Sequence, residues 1–204
     1  MHYFHAPLIF QKQLENATIY SDRFEYIKQL PKNIKFAEVG VAAGDYSYYV
    51  ARDTKAISID LFDLFDHDDF YFKEYGEQRF TKETHYDFIK ERFKDFNNVK
   101  LHKGNSKDTL ANIDKKFDYI YLDSMNDFNN VLFDLHSAAN CLNEGGLIGI
   151  NDFNMYQNSN NDGKIYKMGV VQAVSFFLKT KKEWKVKAFA LNTNLTSDIY
   201  LTKF

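Results

Sequence analysis

Cysteine is all but missing from this chain. Cys141 is its one example, so no intrachain disulfide can form and the cysteine usage is that of a reducing compartment. Charge of one sign is missing too. Lys plus Arg is 26 and Asp plus Glu is 28, a net charge of −2, which gives no electrostatic case for nucleic acid or an anionic membrane as a partner. No apolar run approaches the roughly 18 residues that span a bilayer, and no basic-then-apolar leader opens the sequence. The expectation is a cytoplasmic protein with a small-molecule partner, with a homo-oligomer left open. No repeat or linker-like stretch divides the 204 residues, which points to one domain over 1–204. What the chain has in plenty is aromatic, with 20 Phe and 14 Tyr, so rings supply much of the core. Cys141 sits beside Leu142 in an apolar-periodic segment and reads as a core residue.

The segment Phe36-Ala-Glu-Val-Gly-Val-Ala-Ala-Gly-Asp-Tyr-Ser47 organises the rest. A short apolar strand runs into Gly40 and Gly44, and helical character follows from Tyr46. Such a strand, glycine loop and helix bring free N–H groups and a bare backbone to a ligand. Position 42 is Ala, so the spacing is not that of a dinucleotide fingerprint. A βα turn without a ligand is the alternative reading.

Residues 11–30 read as a helix closed by Pro31, an N-terminal helical addition (1–33). Residues 55–60 read as a second strand ending on Asp60, 20 residues after Gly40. An acid there can accept hydrogen bonds from both ribose hydroxyls of a nucleoside; a turn-forming Asp is the alternative. Residues 62–82 fit no regular element, are dense in acids and rings, and read as an insert over the site. A helix over 84–96, a strand over 99–102, and Gly104-Asn105-Ser106 with Ser106 as an N-cap follow. A fourth strand ends on Asp123. A helix over 128–142 leads through Gly145-Gly146 to a fifth strand ending at Asn151-Asp152. The loop over 154–163 reads as flexible, and a helix and two closing strands complete the chain. The order implies an α/β fold, a Rossmann-like, doubly wound, seven-stranded, mostly parallel sheet with a terminal antiparallel strand pair. Ligands of such sheets bind outside the carboxyl ends of the strands. Two groups near those ends are candidate general bases by position, His67 in the insert and Asp127 after strand four.

These motifs resemble those of class I S-adenosylmethionine-dependent methyltransferases, of the small bacterial O-methyltransferase type that modifies sugars and natural products. The likeness rests on Glu38 through Ser47, Asp60, Gly104-Asn105-Ser106, Asp123 followed by Asp134, Gly145-Gly146 and Asn151-Asp152. It implies S-adenosylmethionine as cofactor, with Glu38, Gly40, Gly44 and Ser47 about its methionine part, Asp60 on the ribose, Asn105 and Ser106 near the adenine, and Asp123 beside it. In metal-dependent relatives the acids ending strands four and five bind a divalent cation, which implies Asp123, Asn151 and Asp152 as candidate ligands here. Three oxygens suit Mg²⁺, and a cation would favour the ionised form of a hydroxyl acceptor. Asp123 is also the resemblance's first catalytic candidate.

The chain departs from the pattern in two places. Many relatives carry Asp-Gly-Asp-His where this one has Asp123-Ser-Met-Asn126, and Asn151 is neutral where many have an acid. Alternatives to the cation are an Asx turn at Asn151-Asp152 and an Asp123 that contacts the cofactor without metal. Alternatives to the methyltransferase are a family member that binds without catalysis and a nicotinamide-dependent oxidoreductase.

Overall fold

The computed structural model describes residues 9–67, 84–155, 157–159, 165–192 and 196–204; of the expected insert, 68–82 therefore lie outside the described residues. The described chain starts with α1 (Gln11–Leu14), β1 (Thr18–Tyr20) and α2 (Arg23–Ile27), then β2 (Lys35–Val39), α3 (Asp45–Thr54), β3 (Ser58–Asp63) and α4 (His85–Arg92). It continues through β4 (Val99–Lys103), α5 (Ser106–Thr109), β5 (Phe117–Leu122), α6 (Phe128–Asn140) and β6 (Leu142–Ile150). A small hairpin pairs β7 (Gln157–Ser159), which falls within the segment expected to be flexible, with β8 (Ile165–Lys167) just beyond it; of that segment, 156 and 160–163 lie outside the described residues. α7 (Val170–Thr180), β9 (Trp184–Leu191) and β10 (Ser197–Lys203) close the chain.

One sheet carries these elements in the order β1-β9-β10-β6-β5-β2-β3-β4. All its neighbours pair in parallel except those of β10, which is antiparallel to both β6 and β9. The expected doubly wound sheet with an antiparallel terminal pair is thus present, with eight strands where seven were expected.

The extra strand comes from a correction at the N-terminal segment. The single helix expected over 11–30 is broken, because Asn16 takes a left-handed conformation (φ 63°) and Thr18-Ile19-Tyr20 favour extended backbone. They join the sheet edge, Ile19 opposite Phe189. A new helix starts at Asp22, whose carboxylate accepts from the Phe24 and Glu25 N–H groups at 2.8 and 2.9 Å. Likewise α6 stops at Asn140, and β6 runs from Leu142 straight through Gly145 and Gly146.

Alternation along the strands divides the core in two. Phe36, Ile59, Leu61, Tyr119 and Tyr121 face α2, α3 and α4. Ala37, Val39, Phe62, Ile120 and Leu122 face α6 and α7. Tyr46 stacks on Tyr121 with centroids 3.7 Å apart, so rings do fill the layer under the glycine loop. Cys141 is buried at the end of α6, its thiol directed at the Leu110 carbonyl at 3.6 Å and its pKa raised by burial. No helix among the described residues is long and apolar enough to cross a membrane.

Candidate active site

At the carboxyl ends of β2, β3, β4 and β5 lies a cleft of about 320 Å³. A larger cavity of about 810 Å³ opens at the other end of the sheet, among Tyr26, Lys32, Glu144 and Lys185. Strand carboxyl ends are where this topology gathers loops and helix starts, so the first cleft is the candidate site.

Its floor is the turn after β2. Gly40 has φ 84° and donates its N–H to the Phe62 carbonyl at 2.9 Å. A Cβ on it would come within 2.1 Å of the Asp123 carbonyl oxygen, so only glycine lets this turn lie on the end of β5. Ala42 also lines the cleft. Gly44 does not; it caps α3 with φ 74°, and the space of its missing side chain is taken by Phe93 and Ile89. Glu38 and Ser47 are buried under the loop and bonded to each other, the hydroxyl donating to the carboxylate. Burial holds the Glu38 carboxyl well above its ordinary value. Gly44, Glu38 and Ser47 therefore shape the loop from behind.

The strand end expected at Asp60 is corrected. β3 runs three residues beyond the expected end, so Asp60 is inside the strand, 2% exposed, with His102 Nε2 at 2.8 Å on one oxygen and the Lys115 ammonium on the other. Burial opposes its charge, yet the His102 and Lys115 bonds outweigh it and hold the carboxyl below its ordinary range. The acid at the strand end, on the cleft, is Asp63. Its oxygens each accept one backbone N–H, from Val41 at 2.6 Å and from Phe65 at 2.8 Å. A carboxylate has about four acceptor positions, so two remain for a pair of hydroxyls.

Asp60→Asn is accordingly expected to act on stability. His102 and Lys115 are 15% and 32% exposed and regain water, so the expected loss is about 1–2 kcal/mol, roughly 2–8 °C in Tm. A carboxyl with a depressed folded pKa stabilises above its unfolded value of about 3.9 and loses that contribution as pH falls through the folded value. The variant's deficit in a melting series should therefore shrink below about pH 4.

Gly104, Asn105 and Ser106, after β4, also line the cleft. Asn105, rather than Ser106, caps the short α5, accepting from the Lys107 N–H at 2.9 Å. Asp134, on α6, lines it as well. It is 2% exposed, Ser124 Oγ donates to its Oδ2 at 2.6 Å, the Ser106 hydroxyl also approaches the carboxyl, and no described group lies within strict hydrogen-bond geometry of the buried Oδ1. Burial, the largest cause, raises its pKa.

Asp123 and the exposed Met125 line the cleft beyond β5. Desolvation is the main reason that the Asp123 carboxyl is pushed up to about 7, against the opposing Asn151 bond and Arg23 charge. His67 lies on the cleft wall, its ring 5.9 Å from that of His85. Asp127 is not on the cleft: it is the N-cap of α6 and accepts from the Asn129 and Asn130 N–H groups and the Asn130 side chain. That correction has a local cause, since an Asp just before a helix is a preferred cap.

The cation trio meets a different partner. Asn151 Nδ2 donates to Asp123 Oδ1 at 2.6 Å, while Asn151 Oδ1 accepts from Arg23 Nη2 at 2.6 Å. Arg23 also donates to Asp198 at 2.9 Å and to Asn192 at 3.2 Å. With the amide oxygen engaged and the amide nitrogen facing Asp123, the three residues do not present three free oxygens to an ion. Among the described residues no cluster of three or more His, Cys, Asp or Glu could hold a metal. Asp152 follows in left-handed backbone (φ 51°), its pKa raised by burial.

A family model described as a methyltransferase domain matches residues 37–153, more than half of the chain, including the carboxyl ends of the strands that build the cleft. The chain belongs to the methyltransferase domain family. Its fold is shared with solved methyltransferases. Solved structures with the same fold include an O-methyltransferase from Bacillus cereus in complex with SAH, at TM-score 0.62 and 14% identity over 89% of this chain and 80% of that one. A putative rRNA methylase from Clostridium thermocellum follows at 0.60 and 16%, over 89% and 93%. The Streptomyces achromogenes O-methyltransferase of tomaymycin synthesis, in complex with SAM, is at 0.59 and 14%, over 89% and 79%. No curated protein matches significantly.

Four residues in or beside the cleft had been given no role from the sequence. Asp63 was a strand-boundary matter of three residues. Asp134 entered only as one of the residues that carry the resemblance, with no role attached. Arg23 and Asp198 carry no local signal at all.

Proposed function

We propose that the chain transfers a methyl group from S-adenosylmethionine to a hydroxyl of a small acceptor such as a sugar or natural product. The observation that carries the reading is the cleft itself: it is lined by three acids, Asp63, Asp134 and Asp123, and Asp63 accepts only two hydrogen bonds of the roughly four that a carboxylate can take. Asp63 would take the ribose hydroxyls. Asp134 Oδ1 and the Asn105-Ser106 wall would meet the donor edge of the base. Gly40 lets the loop close over the end of β5, and Asp123 remains on the side open to the acceptor. When bound, the cofactor supplies an electrophilic methyl on a sulfonium. Asp123 is suited to hold or accept the acceptor's hydroxyl proton, because it is only partly engaged by Asn151. The net charge of −2 favours a small acceptor over polyanionic RNA.

The test is transfer of labelled methyl from S-adenosylmethionine to a panel of sugars, phenols and an rRNA fragment. Transfer to hydroxylated small molecules, slowed about 100-fold or more in Asp123→Asn with unchanged SAH affinity, is the expected result. Labelling of RNA alone would replace the acceptor half of the proposal. No transfer to any acceptor despite tight SAH binding would point to a family member that binds without catalysis.

A further inference from the structure

The place that metal-dependent relatives give to a cation is, in this protein, reached by an arginine from the N-terminal segment. Asp22 starts α2 by capping it, which puts Arg23 at the helix's first residue and its side chain at the ends of β6, β9 and β10. There the guanidinium is held at three points. Nε donates to Asn192 Oδ1 at 3.2 Å, and Nη2 donates to both Asp198 Oδ1 at 2.9 Å and Asn151 Oδ1 at 2.6 Å. Asp198 is itself fully buried and fixed by the Tyr121 and Tyr200 hydroxyls and the Asn192 amide, at 2.8, 3.2 and 3.0 Å. The cation is built in from beneath.

Asn151 transmits that charge. Arg23 can only donate and the Asp123 carboxylate can only accept, so the amide between them has one satisfactory orientation: oxygen to Arg23, nitrogen to Asp123. Flipping it to offer its oxygen to a metal beside Asp123 would set N–H against N–H. A second acid at this position, as in many relatives, could not relay in this way, because it would have no donor to give Asp123. The neutral Asn151, which looked like a weakened ligand in the sequence, is what an arginine-to-aspartate relay requires.

We propose that Arg23 is the resident cation of this methyltransferase, a positioning residue that holds Asp123 through Asn151 and closes the Asp123-Asn151-Asp152 trio to divalent ions. The proposal rests on the methyltransferase reading for its use, while its test needs neither cofactor nor acceptor.

That test is Mn²⁺ binding by electron paramagnetic resonance, read as the difference between the wild type and Asp123→Asn so that ions held elsewhere cancel. The wild type is expected to show no Asp123-dependent binding at millimolar Mn²⁺. Arg23→Ala, which removes the charge and frees the Asn151 oxygen, is expected to gain such binding and to lose it again in Arg23→Ala with Asp123→Asn. Arg23→Gln serves in its place if Arg23→Ala does not fold, a loss of circular dichroism being the criterion. Asp123-dependent Mn²⁺ binding by the wild type would overturn the proposal. So would a folded Arg23 variant that gains none, since Arg23 would then be an ordinary ion-pair partner of Asp198.

Discussion

Gly40→Ala is expected to be the most damaging single-methyl change in the chain, lowering Tm by roughly 8–16 °C or more and abolishing cofactor binding. Left-handed backbone alone costs an alanine about 1–2 kcal/mol. The larger part comes from position, because the added carbon would lie 2.1 Å from the Asp123 carbonyl oxygen, which is backbone and cannot turn aside. Either the loop lifts off β5, which opens the cleft floor, or β5 shifts, which disturbs Asp123. Both routes bring the expected loss to about 4 kcal/mol or more. Gly145→Ala is the control. Gly145 is also left-handed, at φ 70°, but nothing lies within 4 Å of its added carbon, so only the strain of about 1–2 kcal/mol should appear. Thermal melts of the two variants and SAH titrations of each check the pair. Equal losses would mean that the approach of the glycine loop to β5 is not what holds the cleft.

Asp63→Ala should have the second-largest effect, and on affinity more than on stability. Two hydroxyl hydrogen bonds to a charged acceptor contribute about 1.5–3 kcal/mol each, so their joint loss is expected to weaken SAH by about 100-fold or more. The loop also loses its tie from the Val41 N–H, which adds to the deficit through a less ordered floor. Asp60 supplies the contrast, since it lies on no wall of the cleft and its substitution should leave SAH affinity within about twofold. Titrating SAH into Asp63→Ala and Asp60→Asn separates the two acids. Loss of affinity in the Asp60 variant alone would restore the strand-end role to Asp60 and remove it from Asp63.

The architecture was legible because its signals are local and periodic. The strand, glycine loop and helix from Phe36 to Ser47, the acid-ended strands, and the apolar stripe of α6 each lie within a dozen residues or so of sequence. Where the reading slipped, a boundary or a long-range partner was responsible. Ile59 to Asp63 keeps the apolar alternation past the first acid, and only pairing with β4, Asp63 opposite Lys103, shows that the strand continues. The helix expected over 11–30 failed because an edge strand beside β9 satisfies Thr18 to Tyr20 better than a helix would. Asp127 had the right place in the sequence for a base, but the helix after it consumes its carboxylate. Arg23 was beyond reach in principle: its partners Asn151 and Asp198 are 128 and 175 residues away, and nothing in an Arg after an Asp announces such a contact.

If the cleft between Gly40, Asp63 and Asp134 holds S-adenosylmethionine, calorimetric titration of the wild-type protein with SAH will show it. A single saturable binding event is predicted, displaced by S-adenosylmethionine and absent with the nicotinamide cofactors. Stability should follow, with about 2.7 kcal/mol added at 100 times the dissociation constant. No heat and no thermal shift with millimolar SAH, or saturable binding of a nicotinamide cofactor in its place, would contradict the claim.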